Sequence, residues 1–223
     1  MLSDPDLVLL DTNPRTGEFS PRLRRYLRAK RVMDITGAIL LGLAVLPLVG
    51  ILAVLVRLDG GSAFFCQKRL GQGGEVFHFW KLRTMASDAE GALSRYLAEN
   101  PEARLEWEHT QKLRKDPRIT WLGQFMRKYS FDELPQLWNV LRGDMSLIGP
   151  RPMFVEQRSL YPGVIYGNMK PGITGLWQVM ARNQSAFADR AAFDHAYART
   201  VSLRTDLFIT LRTIRAVFLG TGL

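Results

Sequence analysis

Hydrophobic and polar positions follow three different periods along the chain, and each period predicts a different kind of element. From Ile35 to Val56 no charged residue interrupts a run of apolar and small side chains. At about 22 residues the run reaches the ~20 needed to cross the hydrocarbon of a bilayer. A helix that fills a soluble core is usually shorter and shows a polar face, which this run lacks. The stretch FFCQKRLGQGGEVFHFWKL sets two runs rich in aromatic and branched residues on either side of Gly71, Gln72, Gly73 and Gly74. That pattern predicts a β-hairpin whose second strand delivers Lys81 and Arg83. Residues 87–115 read as helix interrupted at Pro101, with mixed charges on a solvated face. Leu203, Leu207, Leu211, Ile214 and Phe218 recur at helical spacing, with Arg204, Arg212 and Arg215 off the stripe. Such a helix suits an anionic membrane surface, and equally suits covering the domain's own core.

The flanks of the apolar run decide how it meets a membrane. Arg22, Arg24, Arg25, Arg28, Lys30 and Arg31 precede it, and Arg57, Lys68 and Arg69 follow it. Basic residues mark the cytoplasmic side, so two basic flanks conflict with a simple crossing. Pro47 near the middle removes a backbone donor and crowds the preceding turn, which kinks or breaks a helix. A re-entrant hairpin over about residues 32–57, dipping in and returning on one side, satisfies both observations. A proline-kinked helix that spans is the alternative. Asp34 is expected to pair with Lys30 and Arg31 at the entry and hold the turn into the membrane, or to act as a helix N-terminal acid. Residues 1–20 carry acids where a signal peptide needs a basic start and read as a flexible tail ahead of one domain, residues 21–223.

The formal net charge of +9 and pI of about 10.0 favour a polyanionic partner: nucleic acid, anionic lipid or a phosphorylated substrate. Charge alone does not choose among them. The single Cys66 can form no internal disulfide, so a cytosolic catalytic face is allowed. The sequence has no repeat, low-complexity tract or metal-type Cys/His cluster.

The densest chemistry lies between Asp116 and Pro152. Asp132 and Glu133 are the one adjacent Asp-Glu pair and follow Arg127 and Lys128. On a helix neighbouring side chains diverge, so the two carboxylates would take different tasks, one attacking and one handling a metal or proton. Attack by a carboxylate on a phosphate splits a hard transfer into two easier ones. Phosphoryl transfer also needs cations to neutralise the phosphate oxygens, and Lys81, Arg83, Arg118, Arg127 and Arg151 supply them. Mg²⁺ held by carboxylates would complete the set. A structural alternative exists, because Ser130-x-x-Glu133 fits the capping box that starts a helix.

Here the chain resembles the bacterial sugar transferase family, the small monotopic phosphoglycosyl transferases that prime capsule, exopolysaccharide and O-antigen synthesis. The resemblance is carried by Lys30-Arg31-x-x-Asp34, Pro47, Phe64-Phe65-x-Gln67-x-Arg69-x-Gly71 and Lys81-x-Arg83-Thr84-Met85. It continues through Asp116-Pro117-Arg118, Arg127, Asp132-Glu133-Leu134-Pro135-Gln136 and Asn139. It ends with Gly143-Asp144-Met145-Ser146, Gly149-Pro150-Arg151-Pro152, Pro171-Gly172-Ile173-Thr174-Gly175 and Trp177-Gln178. It implies an α+β monotopic membrane fold: a proline-broken re-entrant helix, a small hairpin and amphipathic interfacial helices around a site on the cytoplasmic face of the bacterial inner membrane.

The implied reaction is ping-pong. Asp132 matches the nucleophile that attacks the β-phosphate of a UDP-sugar and releases UMP; polyprenyl (undecaprenyl) phosphate then takes the phosphosugar. Glu133 matches a Mg²⁺ ligand and acid-base partner. Arg127 matches an arginine contacting substrate phosphate, and Arg151, between Pro150 and Pro152, a basic site near the membrane. UDP-sugar, polyprenyl phosphate and membrane lipid are the implied partners, and nucleic acid is not. Met180-Ala181-Arg182 departs from the Gly that many members carry before that arginine, while the tail after Trp177 looks closest to hexose-type members.

Overall fold

The computed structural model describes residues 21–220 except 59, 111, 112, 114, 164 and 182–186, so the N-terminal tail and Arg182 lie outside the described residues. The charge-free run forms the greater part of helix α1, Pro21–Leu58, which is assigned as continuous through Pro47. Only 11% of its most apolar stretch is buried, so it is not the core helix of a soluble protein. Strands β1 (Phe64–Leu70) and β2 (Val76–Leu82) pair antiparallel in the expected hairpin, with Phe65 opposite Lys81 and Arg69 opposite Phe77. Two short helices follow, α2 (Ala89–Glu99) and α3 (Pro101–Thr110), divided at Pro101 as its fixed backbone dictates.

Helix α4 (Trp121–Lys128) is capped by Thr120, whose hydroxyl accepts from the Gly123 amide at 2.9 Å. After it come α5 (Gln136–Arg142), β3 (Ser146–Ile148), β4 (Gly172–Thr174), α6 (Leu176–Met180), α7 (Arg190–Thr200) and α8 (Leu203–Phe218). β3 and β4 form a second, parallel pair. The interior is divided rather than single. One cluster joins Ala38 of α1 to Phe77, Phe79, Leu137, Val140 and Met145; another joins Leu52 and Val56 to Leu82 and Met126. A third gathers Leu70, Met153, Tyr161, Ile165, Tyr166 and Ala191, and a fourth Ile148, Tyr197 and Ile209.

Both ends of α1 are tied to this one body. At the entry, Lys30 pairs with Asp206 at 2.6 Å, Arg31 donates to the carbonyls of Val140 and Leu141, and Asp34 accepts from the Ser146 hydroxyl and the Leu147 amide. The expected pairing of Asp34 with Lys30 and Arg31 is therefore corrected. Residues three and four apart lie near each other on a helix, but buried partners from distant elements out-compete them. At the exit, Arg83 donates to the Val56 carbonyl at 2.9 Å. The stripe Leu203, Leu207, Leu211, Ile214 and Phe218 is exposed, while α8 buries Asp206 and Ile209 instead. Of the two readings of that stripe, covering the protein's own core is excluded.

Candidate active site

The site is built where β2, the end of α4 and the start of α5 meet. Asn139 of α5 acts as a substitute strand: its Oδ1 accepts from the Trp80 amide at 3.2 Å and its Nδ2 donates to the His78 carbonyl at 2.6 Å. These bonds satisfy the β2 edge and fix the height at which Lys81 leaves the strand. Gly123 lets α4 press onto the hairpin exit, since a Cβ there would stand 2.0 Å from the Thr84 carbonyl oxygen. That close approach brings Arg127 to Thr84, whose hydroxyl accepts from Nε at 2.9 Å.

After α4 the chain reverses at Ser130, a non-glycine residue with φ of 59°. Left-handed backbone is uncommon for such residues and is held only where surroundings over-determine it. Here the stacked rings of Tyr129 and Phe131, 5.8 Å apart, brace the turn. The capping box does not form, because Ser130 makes no side-chain cap and Glu133 reaches elsewhere. A tight 3-10 turn, Phe131–Glu133, follows instead of an α-helix. The two carboxylates therefore converge rather than diverge: Lys81 Nζ donates to Asp132 Oδ2 at 3.2 Å and to Glu133 Oε1 at 2.9 Å. Arg151 closes on the same Glu133 oxygen at 3.0 Å.

Burial separates the behaviour of the pair. Asp132, 6% exposed, is pushed up from the usual carboxylate range by burial, against the pull of Lys81. Burial would raise Glu133 as well, but Lys81 and Arg151 together outweigh it and hold that carboxyl well below its ordinary value. Asp132 Oδ1 and Glu133 Oε2 make no hydrogen bond among the described residues, so each carboxylate keeps one oxygen for a ligand.

The other expected cations divide. Lys81 and Arg151 contact the carboxylates, and the charge of Arg127 reaches Asp132. Arg83 is turned away onto Val56 and Ser87, and Arg118 forms a two-point pair with Asp116 at 2.8 and 2.7 Å while lying over the Trp107 ring. Neither touches the pair. Pro150 and Pro152 are buried and frame Arg151, with the Pro150 carbonyl taken by the Gly172 amide at 2.8 Å. Two arginines without an expected site role, Arg69 and Arg190, flank Arg151. Strand alternation was a usable signal for the first, because Arg69 and Lys81 fall on one face of the hairpin. Nothing local marks the second.

Comparison with known proteins identifies relatives along almost the whole described chain. The bacterial sugar transferase model matches residues 25–220. The exopolysaccharide production protein ExoY of Sinorhizobium fredii is 43% identical over 197 residues, covering 87% of each chain. The UDP-glucose:undecaprenyl-phosphate glucose-1-phosphate transferase of Caulobacter vibrioides is 39% identical over 94% of this chain and 76% of its own. The undecaprenyl-phosphate galactose phosphotransferase of Salmonella typhimurium is 42% identical over 90% of this chain but only 42% of its own length. A match that spans nearly every described element, with the paired carboxylates inside it, places the chain in the bacterial sugar transferase family.

Proposed function

We propose that the chain transfers a hexose 1-phosphate from a UDP-sugar to undecaprenyl phosphate with release of UMP, as the first membrane step of exopolysaccharide, capsule or O-antigen synthesis. One observation carries the reading: a single ammonium, Lys81, bridges two adjacent carboxylates, with Arg151 completing the cluster. The relatives whose names specify an undecaprenyl-phosphate acceptor and a UDP-glucose donor support the choice of substrates.

In the first half-reaction an Asp132 oxygen attacks the β-phosphorus of the donor. The bond from that phosphorus to the oxygen bridging the α-phosphate breaks, and UMP leaves with the electron pair. In the second, a phosphate oxygen of undecaprenyl phosphate attacks the same phosphorus, the bond to Asp132 breaks, and the carboxylate is restored. Lys81 orients Asp132 and, with Arg127 and Arg151, faces the charge that gathers on the phosphoryl oxygens. Among the described residues no three His, Cys, Asp or Glu side chains gather into a metal cage. The site nonetheless fits Mg²⁺, which is commonly held by one or two carboxylates plus substrate phosphates, and Glu133 with its open oxygen is the residue to hold it. When bound, the ion supplies Lewis-acid neutralisation of those phosphates.

We further read α1 as re-entrant, with the site at the cytoplasmic face. Support comes from its two ends, which are both bonded to the same polar body while most of the apolar middle is exposed. Purified Asp132→Asn should release no UMP from a UDP-sugar, and mass spectrometry of wild type given donor alone should find a sugar-phosphate adduct on the peptide holding Asp132. Full turnover by the variant would overturn the assignment.

A further inference from the structure

Beside Arg151 the fold places two further arginines that the reaction above leaves unused. Arg69, Arg151 and Arg190 come from three distant segments, and the residues beside them, Leu70, Met153 and Ala191, pack into one buried cluster. The Leu70 amide donates to the Met153 carbonyl at 3.0 Å, and Arg69 Nη1 to the Pro152 carbonyl at 3.4 Å, so two of the segments are directly joined.

Each flanking guanidinium lies over two aromatic rings. Arg69 lies 3.4 Å over the Phe154 ring and 5.3 Å from Phe79, while Arg190 lies between Trp177 at 4.1 Å and Phe187 at 4.6 Å. Stacking engages the flat faces and leaves the in-plane N–H groups for hydrogen bonds. Those groups are under-used. Arg69 gives one bond to Gln67 and one to Pro152, and its buried Nε has no partner. The side chain of Arg190 forms no hydrogen bond or ion pair among the described residues, and its Nε is also buried.

Burial first, and the charge of Arg151 second, lower both groups to about 10, so both remain cations at neutral pH. The neighbouring acids, Glu133 beside Arg69 and Asp194 beside Arg190, act on them through space without a direct bond. Glu133 is bonded to Lys81 and Arg151, and Asp194 accepts from Tyr161 at 2.8 Å. Buried donors and charges without partners are costly, and a ligand anion is the usual relief.

We propose that Arg69 and Arg190, with the one-third exposed Arg151 at the mouth, form a seat for the phosphate of a substrate, their clamped N–H edges taking its non-bridging oxygens. The seat adjoins Glu133 through Arg151. Its assignment to a substrate of this reaction rests on the proposed transferase function. The ligand chemistry, a phosphate group, is common to the sugar-diphosphate donor and the lipid-phosphate acceptor.

The test uses the full chain in lipid nanodiscs with Arg69→Gln, Arg190→Gln and, to keep charge but lose the planar fork, Arg69→Lys and Arg190→Lys. Inorganic pyrophosphate should raise the melting temperature of wild type and raise that of the Gln variants less. In steady state each variant should raise one KM by about tenfold or more with little change in kcat. A rise in the UDP-sugar KM assigns the seat to the donor; a rise in the undecaprenyl phosphate KM assigns it to the acceptor. If the Gln variants fold poorly, the Lys variants carry the same test. Unchanged pyrophosphate stabilisation together with both KM values unchanged would overturn the proposal. Wild type that binds pyrophosphate at this seat yet transfers no sugar would sink the transferase reading and leave the seat standing.

Discussion

Lys81 donates to both carboxylates of the pair, the buried Asp132 and the half-buried Glu133. Replacement of Lys81 by Met strips Asp132 of its hydrogen-bonded cation and leaves Glu133 to Arg151 alone, a change that typically costs about 3 kcal/mol. For a chain of this size that corresponds to a melting temperature lower by roughly 6–12 °C, readable by thermal denaturation. UMP release should fall with it, and Lys81→Arg should recover part of the stability. A second residue makes a pH-dependent contribution. Burial pushes Asp194 up to about 7, against the hydrogen bond from Tyr161. The folded value lies above the ~3.9 of an unfolded aspartate, so the folded chain binds more protons between the two. The resulting stabilisation is full below about pH 4 and is lost as pH rises through about 7. Melting temperature should therefore decline between pH 5 and pH 8, and Asp194→Asn should flatten that decline. An equal slope in both proteins would place the proton elsewhere.

At the level of elements, what could be read in the sequence was what local pattern dictates. Alternating aromatic runs around glycines gave the hairpin, and Pro101 divided α2 from α3, because both effects act within a few residues. The turn at Ser130 was not legible: Ser-x-x-Glu has the composition of a helix start, and only the surrounding rings and Lys81 select the left-handed alternative. The same limit hid Arg190, whose neighbours Trp177 and Phe187 are brought together by tertiary packing. It also hid the partners of Arg83 and Arg118, named from the sequence only as available cations and bonded in the fold to Val56 and Asp116. The apolar stripe of α8 was visible, but its direction was not until Asp206 and Ile209 proved to be the buried face. Glu at both Leu207 and Leu211 should weaken recovery of the protein with anionic vesicles in flotation while leaving its melting temperature within about 1 °C, since exposed positions contribute little to folding. A large loss of stability would show that this face is covered within the protein.

Considered whole, the described residues form no single interior. Three of the four small clusters take residues from α1, and the polar bonds at its two ends give the helix its bearing. Re-entry therefore predicts that epitope tags at the N- and C-termini are both shielded in intact cells and both cut by protease once the cytoplasmic side is opened. A C-terminal tag reached from outside would favour a spanning helix. The Lys30 contact with Asp206 carries one more implication, for biogenesis. Asp206 also accepts from Tyr26 at 2.8 Å and Tyr197 at 2.7 Å, and it is separated from Lys30 by 176 positions. A ribosome needs on the order of ten seconds or more to add that much chain. On the re-entrant reading the element that meets the lipid first is thus latched last, and a nascent chain stopped before α8 would leave the lysine at its threshold without its Asp206 counter-charge.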